Sequence, residues 1–165
     1  MSEHMLVVGV DGSPPSYTAL RWALGYAGPI SARVRAVRCW TPIVARRWEA
    51  AVTAEPVPLH AEQEARAERE LGEVVAAALA RLPGGLTRVA VQRTVARGTV
   101  GPALVAAAAG ADLLVVGHNH RYPTDMLHRS VSWYCARHAA CPVLVVPSAM
   151  ATRRALIPAT AELPA

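Results

Sequence analysis

Short apolar runs alternate along the chain with longer stretches in which apolar residues recur every three or four positions. Met5–Val10 is a continuous apolar run, as expected for a strand buried on both faces. Gly12, Ser13, Pro14 and Pro15 break it. A helix is expected from about Ser16 to Ala27, with Leu20, Ala23, Leu24 and Ala27 on one face. Pro15 lies near its first turn, where no backbone donor is needed. Val34–Trp40 alternates apolar residues with Arg and reads as a second strand. Thr41–Leu59, with Pro42, Pro56, Pro58 and Trp48, reads as a long loop or flap.

The clearest helix spans His60–Leu82, its charged face giving way to an Ala-rich apolar end, and Pro83, Gly84 and Gly85 stop it. Thr87–Ala96 alternates Val89, Val91 and Val95 with polar residues and gives a third strand. A helix over Gly98–Ala109, a strand over Ala111–Val116, a helix over Ser130–Ala139 and a strand over Pro142–Val146 complete the order. No internal repeat is present. Strands and helices alternate throughout, which argues for an α/β fold: a parallel open sheet with helices on both faces. In such a sheet, ligands bind beyond the carboxyl ends of the strands, where the winding direction reverses. The turn Asp11–Ser16 and the loop Gly117–Arg129 are placed for that role.

The 165 residues make about one domain, expected at 1–147, followed by a loosely ordered Ala- and Pro-rich tail over 148–165. The net charge of +5 comes from 17 arginines with no lysine, and Phe is absent too. That reads as compositional bias rather than a nucleic-acid footprint, so no nucleic-acid partner is expected. The missing lysine excludes P-loop, Schiff-base, kinase-type and receiver-domain chemistry. Val100–Gly117 is nearly apolar, but Pro102, Gly110 and Asp112 suit a helix–turn–strand better than a membrane span. Three cysteines and no secretory leader before Met5 point to a reduced, cytoplasmic protein.

Several doubly wound families fail on these residues. A receiver domain needs an Asp ending its third strand, where this chain has Val95, Ala96 and Arg97. A flavodoxin phosphate loop would be repelled by Asp11, and neither a G-x-G-x-x-G nor a Walker loop occurs. The combination of Val8–Ser13, Gly98–Ala103, Ala111–Gly117, Ser130–Ser132 and Arg137–Val146, in that order and spacing, resembles the universal stress protein (UspA) family over about residues 5–147. The resemblance implies a Rossmann-like, doubly wound five-stranded parallel sheet in the order 3-2-1-4-5. It also implies a non-catalytic stress-response protein and, through Val143, Leu144, Val145 and Val146, a homodimer paired at the last strand. Pairing of Leu156 and Ile157 onto that edge is the competing way to cover it.

In ATP-binding members of that family, the loop after the fourth strand reads Gly, two residues, Gly, nine residues, Gly, then Ser or Thr. Glycines let the backbone approach the phosphates, and N–H groups at the next helix N-terminus bind the anion. Carried over, Asp11 with Gly12 and Ser13 would meet the adenosine part, and Cys39 falls where the second strand would contact adenine. Val116 and Gly117 begin the loop, Asn119 lies within it, and Ser130, Val131 and Ser132 end it. His120 and Arg129 stand where the second and third glycines belong, with eight residues between them instead of nine. Side chains there fill space that phosphates or a positive-φ backbone require. The expectation is a degenerate adenine-nucleotide pocket, with ATP or AMP the implied ligand and no certain cofactor. One alternative is a working ATP or AMP sensor that uses Arg121, Arg129 and the histidines as phosphate ligands.

Local chemistry offers plainer roles for the same residues. Asp11 can accept amides of its own turn, and Ser130 can cap the helix it precedes. His118, His120 and His128 share one loop and form the basis of a metal- or pH-responsive alternative, although a metal needs three or four converging ligands. Cys135, His138 and Cys141 fall on different elements, so no metal site is assigned. No nucleophile–base–orienter set is visible, and no catalytic residue is assigned.

Overall fold

The computed structural model describes residues 4–42, 60–82, 89–118 and 130–147. Among these residues the order is β1 (Met5–Gly9), α1 (Pro14–Ala27), β2 (Arg33–Trp40), α2 (His60–Leu79), β3 (Val91–Arg97), α3 (Val100–Ala107), β4 (Leu113–His118), α4 (Val131–His138) and β5 (Val143–Pro147). The strands form one parallel sheet in the order β3-β2-β1-β4-β5. This is the fold and strand order expected. The residues expected to form the Trp48 flap and the C-terminal tail lie outside the described residues.

Strand periodicity divides the core into two layers. Leu6, Val8, Val34, Ala36 and Val115 pack with Leu20 and Leu24 of α1 and Leu71 and Val75 of α2. Val7, Val37, Leu114 and Val116 face the other way, onto Leu104 of α3 and Cys135 of α4. Leu20, Leu24 and Leu71 are fully buried, each stabilising the fold by about 1.5–3 kcal/mol relative to exposure. No helix among the described residues is long and apolar enough to cross a membrane.

Several boundaries shift from those expected, each for a local reason. Helix α1 starts at Pro14, because Ser13 Oγ accepts the Ser16 amide and both prolines occupy positions without an intrahelical donor. Gly98 has φ of +134°, incompatible with a helix, so α3 starts at Val100 after Thr99. Strand β3 starts at Val91: Val89 packs against the core without joining the ladder. Asp112 precedes β4 and accepts the Met5 amide at 2.7 Å, tying the starts of β1 and β4 together.

Candidate functional site

Beyond the carboxyl ends of β1, β2 and β4 lies a cleft of about 90 Å³. It sits where the winding reverses: from β1 the chain runs outward through β2 to β3 on one side, and β4 and β5 lie on the other. The space holds several waters or a planar ring. Asp11 and Ser13 line it from the first turn, Cys39 from β2, Val116 and Gly117 from β4, and Val131 from α4. Six of the residues proposed from sequence thus meet around one cavity.

Its polar corner is the turn after β1. Asp11 Oδ1 accepts the Ser13 amide at 2.8 Å. Ser16 Oγ accepts the Asp11 amide at 3.3 Å and donates to the Ser13 carbonyl at 3.0 Å. Partial enclosure pushes the Asp11 carboxyl up, but hydrogen bonds from Ser13 and the turn amides outweigh it and hold the group below its ordinary value. A carboxylate carries about four acceptor positions, so closing the turn leaves capacity for a ligand. Gly12 is needed for its φ of +87° and does not line the cleft.

The opposite walls are apolar. Val37, Val100, Leu104, Val116 and Val131 surround the space. The Cys39 thiol donates to the Val100 carbonyl at 3.8 Å, and burial pushes it up to about 11, so it is a neutral wall at physiological pH. Gly9, Val10, Ser16 and Val100 line the cleft from segments that the sequence marks as turn or family motif, whereas Val37 and Leu104 lie outside them. Strand parity carried a signal for Val37, which shares a face with Val116, whereas nothing local pointed to Leu104.

Ser130 and Ser132 stand just outside this lining. Ser130 Oγ accepts the Trp133 amide at 3.2 Å and caps α4. Ser132, buried, lies 3.2 Å from Ser130 Oγ and 3.2 Å from His118 Nδ1. His118, the last residue of β4, ties that strand to the first turn of α4, rather than lying in the loop as the sequence pattern predicts. Asn119, His120, Arg121, His128 and Arg129 lie outside the described residues. Among the described residues, no group of three or more His, Cys, Asp or Glu is placed to hold a metal ion.

Comparison with known proteins agrees with this geometry. The family model described as "Universal stress protein family" matches residues 4–147. The chain belongs to the universal stress protein family. No curated protein sequence matches it significantly. Among solved structures, a universal stress protein family member from Burkholderia pseudomallei is 26% identical, with a TM-score of 0.59, covering 87% of this chain and 95% of that one. A universal stress protein in complex with cAMP is 23% identical, with a TM-score of 0.60, covering 90% and 99%. An Arabidopsis thaliana family protein with AMP bound is 15% identical, with a TM-score of 0.55, covering 87% and 91%. These last two share the universal stress protein fold of this chain.

Proposed function

We propose that the protein is a non-catalytic, cytoplasmic stress-response regulator. Its cleft takes the adenosine part of an adenine nucleotide, and its phosphate loop no longer cradles a triphosphate in the ordinary way. The observation that carries this reading is one ionised acceptor, Asp11, facing apolar walls from Val37, Cys39, Val100, Leu104, Val116 and Val131 at the switch point of the sheet. A flat base needs such walls, and a ribose or adenine donor needs such an acceptor. The cAMP- and AMP-bound relatives support an adenosine monophosphate as the ligand class.

The loop argues against tight ATP binding. His120 and Arg129 replace glycines, and the spacing is one residue short. Backbone cradling is lost where a Cβ intrudes. Guanidinium and imidazole groups of Arg121, Arg129 and His120 are left to meet one phosphate by side chain, which suits a monophosphate better than a chain of three.

Titration calorimetry of the purified protein with AMP, cAMP and ATP at matched ionic strength tests the reading. We expect a monophosphate to bind and ATP to bind about tenfold more weakly or not at all. Asp11→Ala abolishes the monophosphate signal. Tight ATP binding, or no binding of any adenine nucleotide, overturns it. His120→Gly combined with Arg129→Gly should strengthen ATP binding; if it does not, the missing residue is the obstacle.

The reading includes a homodimer formed along β5. That strand pairs with β4 on one side and is an edge of the sheet, with Val145 exposed. An apolar edge left open invites pairing with another chain. The three free thiols, Cys39, Cys135 and Cys141, are in keeping with a reducing compartment.

A further inference from the structure

Helix α1 carries aromatic side chains on two opposite sides. Tyr17 reaches toward α2, where its hydroxyl donates to the Ala77 carbonyl at 3.3 Å. Trp22 and Tyr26 follow it five and nine residues later, about 140° and 180° round the helix. They therefore project away from α2, which packs over β2 and β3, and toward the β5 side of the sheet. Trp22 and Leu144 of β5 pack against the same core cluster. The two rings stack on each other, with centroids 5.0 Å apart and planes 13° apart. Tyr26 is still 40% exposed, and so is Ile30 in the turn that closes the helix. The outer flank of a helix ordinarily carries polar residues, so a stacked Trp–Tyr pair followed by an exposed Ile marks an interaction surface.

The described chain ends next to this flank. Gly117 lies against the Pro15 backbone at the start of α1, and in the β4–β5 pair Gly117 faces Val146 and His118 faces Pro147. The chain thus leaves β5 beside the first turn of α1, with residues 148–165 still to come. From that end α1 runs back toward the start of β2, which puts Trp22 and Tyr26 about 12 and 18 Å along it. Leu156 and Ile157 lie nine and ten residues beyond Pro147, a reach of about 30 Å when extended. The stretch 155–159 is apolar throughout, and Pro158 suits an aromatic surface better than a strand edge. It has no N–H for a ladder, whereas proline segments dock on aromatic-lined surfaces. Half-exposed rings offer on the order of 300 Å², against about 800 Å² on each side of a stable interface between folded partners. The surface fits a short segment, and one tethered beside it is present at an effective concentration of about a millimolar.

We propose that the flank of α1 formed by Trp22, Tyr26 and Ile30 is the docking surface for the chain's own C-terminal segment, with Leu156, Ile157 and Pro158 packed on the two rings. The segment then covers α1 rather than the edge of β5, which stays open to a second copy. The proposal is independent of what the cleft beyond β1 binds.

The test is NMR on the full-length protein, with the Trp22 indole resonance assigned by Trp22→Phe. Cross-relaxation contacts should join the Trp22 and Tyr26 rings to the Leu156 and Ile157 methyl groups. Leu156→Asp combined with Ile157→Asp should abolish them and shift the Trp22 resonance. Trp133, on α4 at the opposite face of the sheet, should not move. Tyr26→Ser, at an exposed position, should release the segment from the other side and shift the Ile157 methyl resonance. An unchanged circular dichroism spectrum checks that each variant keeps the fold. Absence of the contacts, or unmoved resonances in either variant, overturns the proposal. Contacts that arise between labelled and unlabelled chains assign the flank to a second copy and overturn it as well. Contacts from Leu156 and Ile157 to Val145 in place of the rings put the segment on the β5 edge, with the same consequence.

Discussion

Gly117 sits directly against the backbone of Pro15: a Cβ on Gly117 would lie 2.5 Å from the Pro15 carbonyl oxygen and 2.6 Å from the Ser16 amide nitrogen. The glycine at the end of β4 is therefore required for the first turn of α1 to seat beside the sheet, whatever the cleft binds. Backbone cannot swing aside as a flexible side chain can. Gly117→Ala should destabilise the protein by about 1–3 kcal/mol through overpacking, read from the midpoint of chemical unfolding. An unchanged midpoint would mean that α1 seats less rigidly than this contact implies. Binding losses in this variant must be corrected for the scaffold before they are assigned to a ligand contact.

Ser13 closes the same turn from the other end. Its Oγ accepts the Ser16 amide, and its own amide bonds Asp11. Ser13→Ala removes the cap and should cost about 1 kcal/mol, while Ser13→Gly should cost only a few tenths. Unfolding curves of the two variants side by side check the order. Equal losses would show that the hydroxyl is not what holds the helix start.

These two residues also mark what the sequence made legible. Apolar runs separated by amphipathic segments were enough for the alternation of elements, because burial on both sheet faces leaves a pattern in the residues themselves. Asp11, Ser13, Cys39, Val116, Gly117 and Val131 converge because each lies in the last residues of a strand, in the turn just beyond one, or at a helix start; topology marks the turn after β1 and the end of β4, whereas Cys39 and Val131 rest on the family resemblance. The pairing of His118 with Ser132 and the backbone contact of Gly117 with Pro15 were not legible. Each depends on the packing angle between elements distant in sequence, and no local pattern encodes that angle. Helix α1 starts two residues before Ser16, because Ser13 caps it and makes Pro14, which the sequence pattern places in the break, its first residue.

Three carboxylates give the fold a defined response to acid. Asp11 is held low by its turn despite opposing desolvation. Asp112 is held low by the Met5 amide and then His4. Glu70 is held low by its bond from Arg66 and the charges of Arg38, Arg66 and Arg69. A carboxyl depressed in the fold contributes stability that is complete above its unfolded value, ordinarily 3.8 for Asp11 and Asp112 and 4.5 for Glu70. That stability is lost as pH falls through the lower folded value. The melting temperature should therefore hold between neutrality and about pH 5, then fall on further acidification. Asp112→Asn should flatten part of that fall; an identical acid limb would show that the clasp with Met5 contributes nothing.

The cysteines should be sluggish. Burial pushes the thiols of Cys39 and Cys135 up to about 11, from an ordinary 9.0. The reactive thiolate is then about a hundredfold scarcer at neutral pH than for an unperturbed thiol. Disulfide-exchange labelling of the native protein should be slow at both positions and rapid once the chain is unfolded. Because Cys39 lines the cleft proposed to take a nucleotide, saturating AMP should slow its labelling further and leave Cys135 unaffected. Rapid native labelling of Cys39 would contradict a desolvated thiol.

Among the described residues β5 is an edge of the sheet, and this sets the last expectation. Val145 is 38% exposed, whereas its neighbour Val146 is 1% exposed and belongs to the core beside α1. Strand alternation turns Leu144 and Val146 toward the core beside α1 and Val143 toward the core beside α4, while Val145 stays exposed. Val145→Arg puts a charge on the edge strand without touching the core, and charge at an edge opposes strand-to-strand pairing. Light scattering at a fixed concentration should find the parent protein dimeric and the variant monomeric, with an unchanged circular dichroism spectrum. If both run as dimers, the interface lies elsewhere; if both run as monomers, the edge is covered within the chain, and truncation after Pro147 should then release it.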